Sequence, residues 1–472
     1  MSKKVYTDGD EGVRLVVRTS EKTTDSAPEQ RLRAPVHVIY GGADRFKSDT
    51  VQKLGKIALD SIDIFAANFV EFANAMRIPG TESLPHYPEV VSKLAETIVR
   101  DPERARSENF AAWLAHGVYR KTIEKLQTEP IEDFRIDFED GYGFRPDVEE
   151  NGEAERAAIE FAVAYKSGVL PTFTGIRIKR LAGPEYARAV NTLDIFLETL
   201  VEKTGGSVPG NFVVTLPKVS TRKEVKDLSK RLRRFEKEKK LPIGTVGIEL
   251  MVESPEAIID RKGRVPLAML VKAGKNRVRS VHFGAFDYTA ALGIAAAHQS
   301  LSHPACDFAR NVMQVSLSSL GIRLSDSVTT EMPVAIHRGS ELTNAEVQEN
   351  RRAVHAGWRI HFSNVSRSLS NGFYQGWDLH PHQLPARYAA IYAFLLGSFD
   401  THAARLKSFI DQSKRAALTA GTFDDAASVR GLVNFFKLGF DCGGFNEEEV
   451  TAATGVSAEE IKQAGFLSGS GV

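Results

Sequence analysis

The sequence has very few cysteines, no long apolar segment and almost no net charge. Cys306 and Cys442 are the only cysteines among 472 residues, which argues against a disulfide scaffold, and we expect both to be ordinary buried thiols. No apolar run approaches the roughly 20 residues that cross a bilayer. Lys and Arg total 61 against 60 Asp and Glu, so bulk charge favours neither nucleic acid nor an anionic membrane as a partner.

The first segment, residues 1–33, is polar and shows no regular pattern. Its basic residues are not followed by an apolar stretch, so we expect a loosely attached arm rather than a signal peptide. Together with the balanced charge, this predicts a cytoplasmic protein whose partner is a small molecule.

Eight short strand-like runs, several of them continuously apolar, recur along the chain. They lie at residues 36–40, 133–138, 173–178, 211–216, 245–252, 279–283, 331–336 and 376–379. Each gap can hold a crossover helix, which is typical of parallel strands covered on both faces. The pattern predicts an α/β fold, a (β/α)8 TIM barrel over residues 34–386 with a helical insertion around 77–130. An open, doubly wound sheet is the alternative, because the last two runs are weak.

Helical patterns fill the remaining sequence. Residues 51–76 show one long pattern, and the basic run 221–240 keeps an apolar helical period, which favours a solvated crossover helix over a nucleic-acid patch. Residues 387–472 are predicted to form a helical lid region. Within it and just before it, residues 386–418 suggest two helices and 446–463 one more.

Polar residues follow six of the predicted strands. In a barrel of this type the carboxyl ends of the strands meet at one face, where such enzymes place their chemistry. The set comprises Asp137, Glu139, Asp140, Arg177, Lys218, Glu253, Asp287 and His380. Its oxygen donors suit Mg²⁺. Taken singly, each residue also has a structural explanation: a helix cap, an ion pair, a solvated lysine or a hydrogen-bonded core histidine.

The motifs that carry these residues resemble a known superfamily. DFEDGYG, GIRIKR, TLPKV, MVESPEAI, HFGAFDYTAALG and GWDLHPHQLP are similar, in order, to the strand-end motifs of the citrate lyase β-subunit, malyl-CoA lyase and HpcH/HpaI aldolase superfamily. The resemblance implies that Glu253 and Asp287 hold Mg²⁺, or Mn²⁺ in its place. It implies that Glu139 and Asp140 bind metal waters or orient Arg177, which would hold the substrate carboxylate and a developing enolate oxygen.

Two departures from the family pattern bear on the substrate. The first strand and its loop read VIYGGADRF, whereas the CoA-dependent relatives have a strand and loop of the type LFVPGNRP, so Arg45 would stand for the loop arginine with a different spacing. Extra helical sequence also precedes the second strand. Both differences fall near where the CoA-dependent relatives admit CoA, which makes a smaller oxo acid or hydroxy acid a serious alternative to a thioester.

The segment GTFDDAASVRGLVNFF resembles the family's lid, which supplies an aspartate to a neighbouring subunit. That role would fall on Asp424, with Asp425 as the alternative, although either could be a helix cap. A lid of this kind requires a homo-oligomer, and the resemblance suggests a trimer or hexamer.

These observations predict a Mg²⁺-dependent carbon-carbon lyase or aldolase acting on an oxo acid, a hydroxy acid or their CoA thioester. Arg177, Glu139, Asp140 and Asp424 are the candidate catalytic residues, and Arg177, Arg45, Lys218 and His380 the candidate substrate contacts. Malate-synthase-like condensation or thioester hydrolysis on the same site is an alternative. So is a barrel that only binds its ligand.

Overall fold

Eight parallel strands form a closed barrel. The structure is a computed structural model that describes residues 33–419 and 426–463, and its side-chain description omits 412–419, 426–428 and 463. The strands pair in sequence order and β8 closes onto β1. Their bounds are β1 His37–Gly42, β2 Asp133–Asp137, β3 Phe173–Arg177, β4 Phe212–Leu216, β5 Gly247–Val252, β6 Val278–Phe283, β7 Arg323–Val328 and β8 Gln375–Asp378. The predicted TIM barrel is confirmed.

Helices lie between the strands and follow the last of them. Those described are α1 Thr50–Phe65, α2 Phe69–Met76, α3 Pro88–Arg100, α4 Pro102–Glu108, α5 Phe110–Thr128, α6 Asp147–Lys166, α7 Tyr186–Thr204, α8 Arg222–Glu238, α9 Pro255–Ile258, α10 Leu267–Ala273, α11 Ala285–Ala291, α12 Pro304–Leu317, α13 Asn344–Ser370, α14 Leu384–Thr419, α15 Ala426–Asp441, α16 Glu447–Thr454 and α17 Ala458–Gln463. Five of them, α1 to α5, lie between β1 and β2. Among these described helices, none is long and apolar enough to cross a membrane.

The seventh strand was predicted in the wrong place. Residues 331–336 form no strand, and β7 lies upstream with the sequence RLSDSV. The prediction missed β7 because most of its residues are polar, and in the structure they are buried against other polar groups. Asp326 Oδ1 accepts a hydrogen bond from Arg310 Nε on α12 at 2.9 Å, and Asp326 Oδ2 accepts one from Ser368 Oγ on α13 at 2.5 Å.

Three helix predictions also need correction. The pattern at 51–76 forms two helices, because the chain turns at residues 66–68 and the side chain of Asn68 caps α2 by accepting from the backbone N–H groups of Val70 and Glu71. Residues 386–418 belong to the single helix α14 instead of two helices. Residues 446–463 form two short helices, α16 and α17, instead of one.

The chain divides into two compact units. One comprises Ala34–Leu396, and the other is built, within the described residues, from Arg33 and the chain from Gly397 onward. The second unit has an aromatic core in which Phe399, Phe436 and Phe445 contact one another, and His402 stacks on Phe435 with ring centroids 3.9 Å apart. The barrel belongs entirely to the first unit.

Alternation along the strands decides which side chains enter the barrel. An apolar cluster inside it joins Val38 of β1, Met251 of β5, Val328 of β7 and Trp377 of β8. Since residues two apart in a strand share a face, Glu249 and Glu253 lie on the same inward face as Met251. The strand β5 therefore delivers one carboxylate below the apolar cluster and one above it.

Candidate functional site

Asp137 organises the loop that follows β2. It is the last residue of the strand, and its carboxylate accepts hydrogen bonds from the backbone N–H groups of Glu139 at 2.9 Å and Gly141 at 2.8 Å. A Cβ atom at Gly141 would overlap Asp137 Oδ2, so the loop can approach this closely only with glycine there. On the other side, Lys179 Nζ donates to the carbonyl oxygens of Phe138 at 2.6 Å and Gly143 at 3.2 Å. The loop is therefore fixed at both ends.

Arg177 ends β3 beside this loop and is buried. Its Nε donates to Asp137 Oδ1 at 2.6 Å, and its Nη2 donates to Asp137 Oδ2, so the two side chains form a bidentate pair. Its Nη1 lies 3.2 Å from Glu139 Oε2, and its guanidinium lies 4.9 Å from the centre of the Tyr40 ring. Burial alone would lower the pKa of Arg177, but Asp137 and Glu139 raise it well above its usual value. Arg177 is thus a fixed positive charge.

Lys218 lies in the loop after β4 with a left-handed backbone, at φ 48°. This conformation is uncommon for a residue with a side chain. Its backbone N–H donates to Glu253 Oε1 at 2.6 Å. Its Nζ donates to Glu139 Oε1 and to Asp140 Oδ1, the latter at 3.1 Å, and lies 3.5 Å from Asp287 Oδ2. One lysine therefore contacts all the acids we call the carboxylate cluster: Glu139, Asp140, Glu253 and Asp287.

Glu253 and Asp287 come from adjacent strand ends. Glu253 follows β5 and is 4% exposed, whereas Asp287 lies in the first turn of α11 with a side chain that is 46% exposed. The chain between β6 and α11 passes so close that a Cβ at Gly284 would lie 2.5 Å from the Glu253 Cβ. Buried and half-exposed oxygen donors thus share one rim of the barrel.

Two of the clustered acids have raised pKa values. Burial, followed by repulsion from Glu139, raises the pKa of Glu253 to about 8 against the opposing effect of Arg177. Burial is also the main cause that raises the pKa of Glu139 to about 7. Asp140 behaves differently, since a hydrogen bond with Glu139 and the charge of Arg177 outweigh its burial and lower its pKa. The cations present do not fully neutralise the cluster.

The cluster can accommodate a divalent cation of a particular kind. Among the described residues, no three His, Cys, Asp or Glu side chains are arranged so that they could hold a metal ion. Mg²⁺, however, is commonly bound by one or two carboxylates, with waters and substrate completing the shell. Glu253 and Asp287 offer two such oxygen donors, and the Lys218 ammonium already lies 3.5 Å from Asp287 Oδ2. The donor set therefore fits Mg²⁺.

Of the other predicted site residues, Arg45 and His380 have their contacts elsewhere, and Asp424 lies outside the described residues. Arg45 lies in a short turn after β1 with a side chain that is 76% exposed, and Asp44 is 3.9 Å away. His380 caps the turn after β8, where its Nδ1 accepts from the backbone N–H of His382 at 3.2 Å. Asp424, like its alternative Asp425, lies outside the described residues. The structure thus brings together the acids, Arg177 and Lys218.

A buried polar network inside the barrel was missed by the sequence analysis. Glu249 accepts hydrogen bonds from Tyr40 at 2.8 Å and Arg135 at 2.8 Å and lies 2.8 Å from His282 Nε2. We call this the interior network: Tyr40, Asp133, Arg135, Thr215, Glu249, Ser280 and His282. Charged residues within strands, such as Arg135 and Glu249, were the available signal. Tyr40 links the interior network to Arg177, whose guanidinium lies over the Tyr40 ring.

Comparison with known proteins identifies the family. A family model described as "Domain of unknown function (DUF6986)" matches residues 19–468. The chain belongs to this family. Comparison with curated proteins gives no match.

Solved structures with similar folds include three that share 16% sequence identity with this chain. RipC from Yersinia pestis covers 56% of this chain and 90% of its own, with a TM-score of 0.36. Haloferax volcanii malate synthase in a magnesium and glyoxylate complex covers 74% and 92%, with a TM-score of 0.42. Its pyruvate and acetyl-CoA ternary complex covers 74% and 93%, with a TM-score of 0.41. Similarities at this level carry no information about activity.

Proposed function

We propose that this chain is a Mg²⁺-dependent enzyme that makes or breaks a carbon-carbon bond in an oxo acid or hydroxy acid. The observation that carries the proposal is the placement of the carboxylate cluster next to the buried Arg177 at the carboxyl ends of the strands. Oxygen donors for a hard cation and a fixed guanidinium are the two groups needed to bind a carboxylate and stabilise an enolate. The motif resemblance to the aldolase and citrate lyase superfamily supports the same chemistry.

In this proposal Glu253 and Asp287 hold the metal ion. When bound, Mg²⁺ would polarise the oxygens of an oxo acid. Arg177 would offer Nη1, which faces Glu139 at 3.2 Å, to the oxygen that becomes negative as the bond breaks, because Nε and Nη2 are bound to Asp137. Asp137 is accordingly a positioning residue that keeps the guanidinium facing the cluster.

Proton transfer would involve a carboxyl group whose pKa lies near neutral pH. Glu139 meets this condition in the described residues, because its pKa is raised to about 7 and it contacts both Lys218 and Arg177. Asp424 of a neighbouring subunit, expected from the lid resemblance, is the alternative donor. A homo-oligomer and a cytoplasmic location remain predictions.

The test is calorimetric titration of Mg²⁺ into the wild type, Glu253→Gln and Asp287→Asn. We expect both substitutions to weaken Mg²⁺ binding by at least about tenfold, since each replaces a carboxyl group that can ionise to bind the metal with a neutral amide. Glu256→Gln, an exposed residue in the first turn of α9, is the matched control and should bind as the wild type does. Unchanged Mg²⁺ affinity in both cluster variants would reject the ligand assignment.

The substrate class is tested by thermal shift. Oxaloacetate, pyruvate, 2-oxoglutarate and acetyl-CoA are each added with and without Mg²⁺, because a ligand that binds only the folded state raises its apparent stability. We expect an oxo acid to stabilise the protein more in the presence of Mg²⁺. Arg177→Met should remove that extra stabilisation, and oxo acids that stabilise the variant as strongly as the wild type would argue against the role of Arg177.

A further inference from the structure

Lys218 is the residue whose position the proposed chemistry leaves unexplained. A lysine that only bound substrate would project toward open space, yet its ammonium group is directed at Glu139, Asp140 and Asp287. We propose that Lys218 is a displaceable counter-cation: its ammonium group neutralises the carboxylate cluster in the metal-free protein and moves out when a divalent ion binds. The inference rests on the proposed function, since it takes the carboxylate cluster as the place where the metal ion binds.

The contacts of Lys218 separate its backbone role from its side-chain role. The backbone N–H is bound to Glu253 Oε1 at 2.6 Å, so the peptide helps to fix a proposed ligand. The side chain reaches the other three acids of the cluster. Because the two parts act on different carboxylates, the ammonium group can leave without disturbing the hydrogen bond to Glu253.

The side chain also has the freedom that displacement requires. It is 31% exposed, and lysine carries its charge on a flexible four-carbon stem. Arg177, the other cation at the cluster, cannot serve in this way, because it is buried and bound through two nitrogens to Asp137. The cluster therefore holds one fixed and one movable positive charge.

Exchange of the ammonium for a metal ion follows from the charges. Glu139, Asp140, Glu253 and Asp287 lie near one another, and repulsion among them is offset by Lys218 and Arg177 in the absence of metal. Adding a divalent ion while Lys218 stays in place would crowd three cationic groups at one rim. Repulsion between the ion and the ammonium group then drives Lys218 toward solvent, where water can solvate it.

Displacement predicts a change in Mg²⁺ affinity opposite to the change expected if Lys218 supports the metal site. If metal and ammonium compete, removing the ammonium should strengthen Mg²⁺ binding. If Lys218 instead supports the metal site, for example by keeping the acids ionised, removing it should weaken binding. The direction of the change decides between them.

The experiment is calorimetric titration of Mg²⁺ alone into the full chain as wild type, Lys218→Met and Lys218→Arg. Lys218→Met keeps the length and lacks the charge, and we expect its Kd for Mg²⁺ to fall about tenfold. Lys218→Arg keeps the charge and should bind Mg²⁺ no more tightly than the wild type. Lys223→Met is the matched control, because Lys223 lies in the first turn of α8 and pairs with Asp227 rather than with the cluster.

Thermal denaturation gives a second readout. Without metal, Lys218→Met should be less stable than the wild type, because the acids lose their counter-cation, and saturating Mg²⁺ should raise its Tm by more than it raises the wild-type Tm. Lys218→Gln serves the same purpose if Lys218→Met fails to fold. Equal or weaker Mg²⁺ binding in the charge-removal variants would overturn the inference.

The outcomes also separate this inference from the proposed ligands. Tighter binding by Lys218→Met together with normal binding by Glu253→Gln and Asp287→Asn would support displacement and reject those ligands. Loss of binding in both acid variants with no gain in Lys218→Met would support the ligands and reject displacement. If neither the wild type nor Lys218→Met binds Mg²⁺, both proposals fail.

Discussion

Glu249 in β5 and Glu253 just after it are four residues apart, and they have opposite electrostatic environments. Glu249 lies in the interior network, where Arg135 and His282 outweigh the effect of burial and hold its pKa well below the usual value. Glu253 lies at the rim, where burial and Glu139 raise its pKa to about 8. Both are buried, so burial alone does not determine the charge of a carboxyl group.

Glu249 carries a charge that belongs to the folded core, whereas Glu253 is a carboxyl group that a ligand can bind. Glu249 is surrounded by hydrogen-bond donors, and its ionised form is part of the folded core. Glu253 has one backbone donor, Lys218, and lacks a comparable set of partners among the described residues. A carboxyl group with so few partners in the protein can bind a cation from solution.

The largest expected effect on stability is that of Glu249→Gln, which is compared with Glu253→Gln. Glu249→Gln leaves Arg135 buried with an incomplete partner set, and we expect it to lower the free energy of unfolding by about 3 to 5 kcal/mol. Glu253→Gln replaces a carboxyl that is mainly protonated at pH 7, so the metal-free protein should change by less than about 1 kcal/mol. Urea denaturation at pH 7 without Mg²⁺ measures both values.

If Glu249→Gln and Glu253→Gln lowered the free energy of unfolding equally, the two glutamates would not differ in their structural role. Thr215→Val provides a control within the interior network, because it removes one neutral donor to Glu249 and leaves the charges in place. Its cost should be about 1 to 3 kcal/mol, below that of Glu249→Gln.

A smaller effect on stability is expected for Asp137, whose partner Arg177 contacts both the interior network and the carboxylate cluster. Asp137→Asn removes the charge that holds Arg177 and weakens the acceptor for the backbone N–H groups of Glu139 and Gly141. We expect a loss of about 1.5 to 3 kcal/mol in unfolding free energy. Faster hydrogen exchange at those two amides should accompany the loss.

Asp147→Asn is the matched control for this change, since its side chain is 83% exposed and its pair with Arg188 lies at the start of α6. It should alter neither stability nor exchange in the loop. Unchanged exchange at Glu139 and Gly141 in Asp137→Asn would show that the charge of Asp137 is not needed to hold the loop.

The smallest effect concerns His380, a predicted substrate contact that the structure places as a cap. Burial, with a contribution from His382, lowers the pKa of His380 to about 4. Because the folded pKa is below the usual value near 6.5, His380 should contribute stability above pH 6.5 that is lost as the pH falls toward 4. His380→Asn keeps a capping side chain without this titration and should flatten the stability curve in that window.

His303→Asn controls for the substitution itself, because His303 caps α12 through Nδ1 in the same way. Urea denaturation between pH 4 and 7 gives the curves. A His380→Asn stability curve that runs parallel to that of the wild type would show that His380 has no part in the pH dependence. Weaker oxo acid binding by the same variant would instead support His380 as a substrate contact.

The sequence was sufficient to predict the barrel and the rim of the site, because both follow from patterns along the chain. Strands such as β4 and β5 are apolar runs between helical segments, and parallel topology brings their ends together. Strand β7 was not predicted because Asp326 and its neighbours are polar, and the partners of Asp326, Arg310 and Ser368, are distant in sequence. The pairing of buried charges is not encoded in any local pattern.

The same limit applies within the site. The sequence placed Arg177 beside Glu139 and Asp140, but its main partner is Asp137, whose position depends on where β2 ends. Lys218 was predicted as a substrate contact, and only its left-handed backbone and the three-dimensional arrangement direct it at the acids. These contacts depend on loop geometry, which residue types alone do not determine.

The two closely approached glycines have different consequences for sequence divergence. Gly284 faces the Cβ of Glu253, an atom that almost any residue at position 253 would supply, so glycine there is required by the spacing of the two chain segments. Gly141 faces the carboxylate of Asp137, so its constraint disappears with that side chain. In an alignment of relatives, we therefore expect Gly284 to persist even where Glu253 has been replaced, whereas Gly141 should covary with Asp137. Retention of Gly284 would then indicate only the barrel, and retention of the Asp137 and Gly141 pair would indicate that Arg177 is still held in the same position.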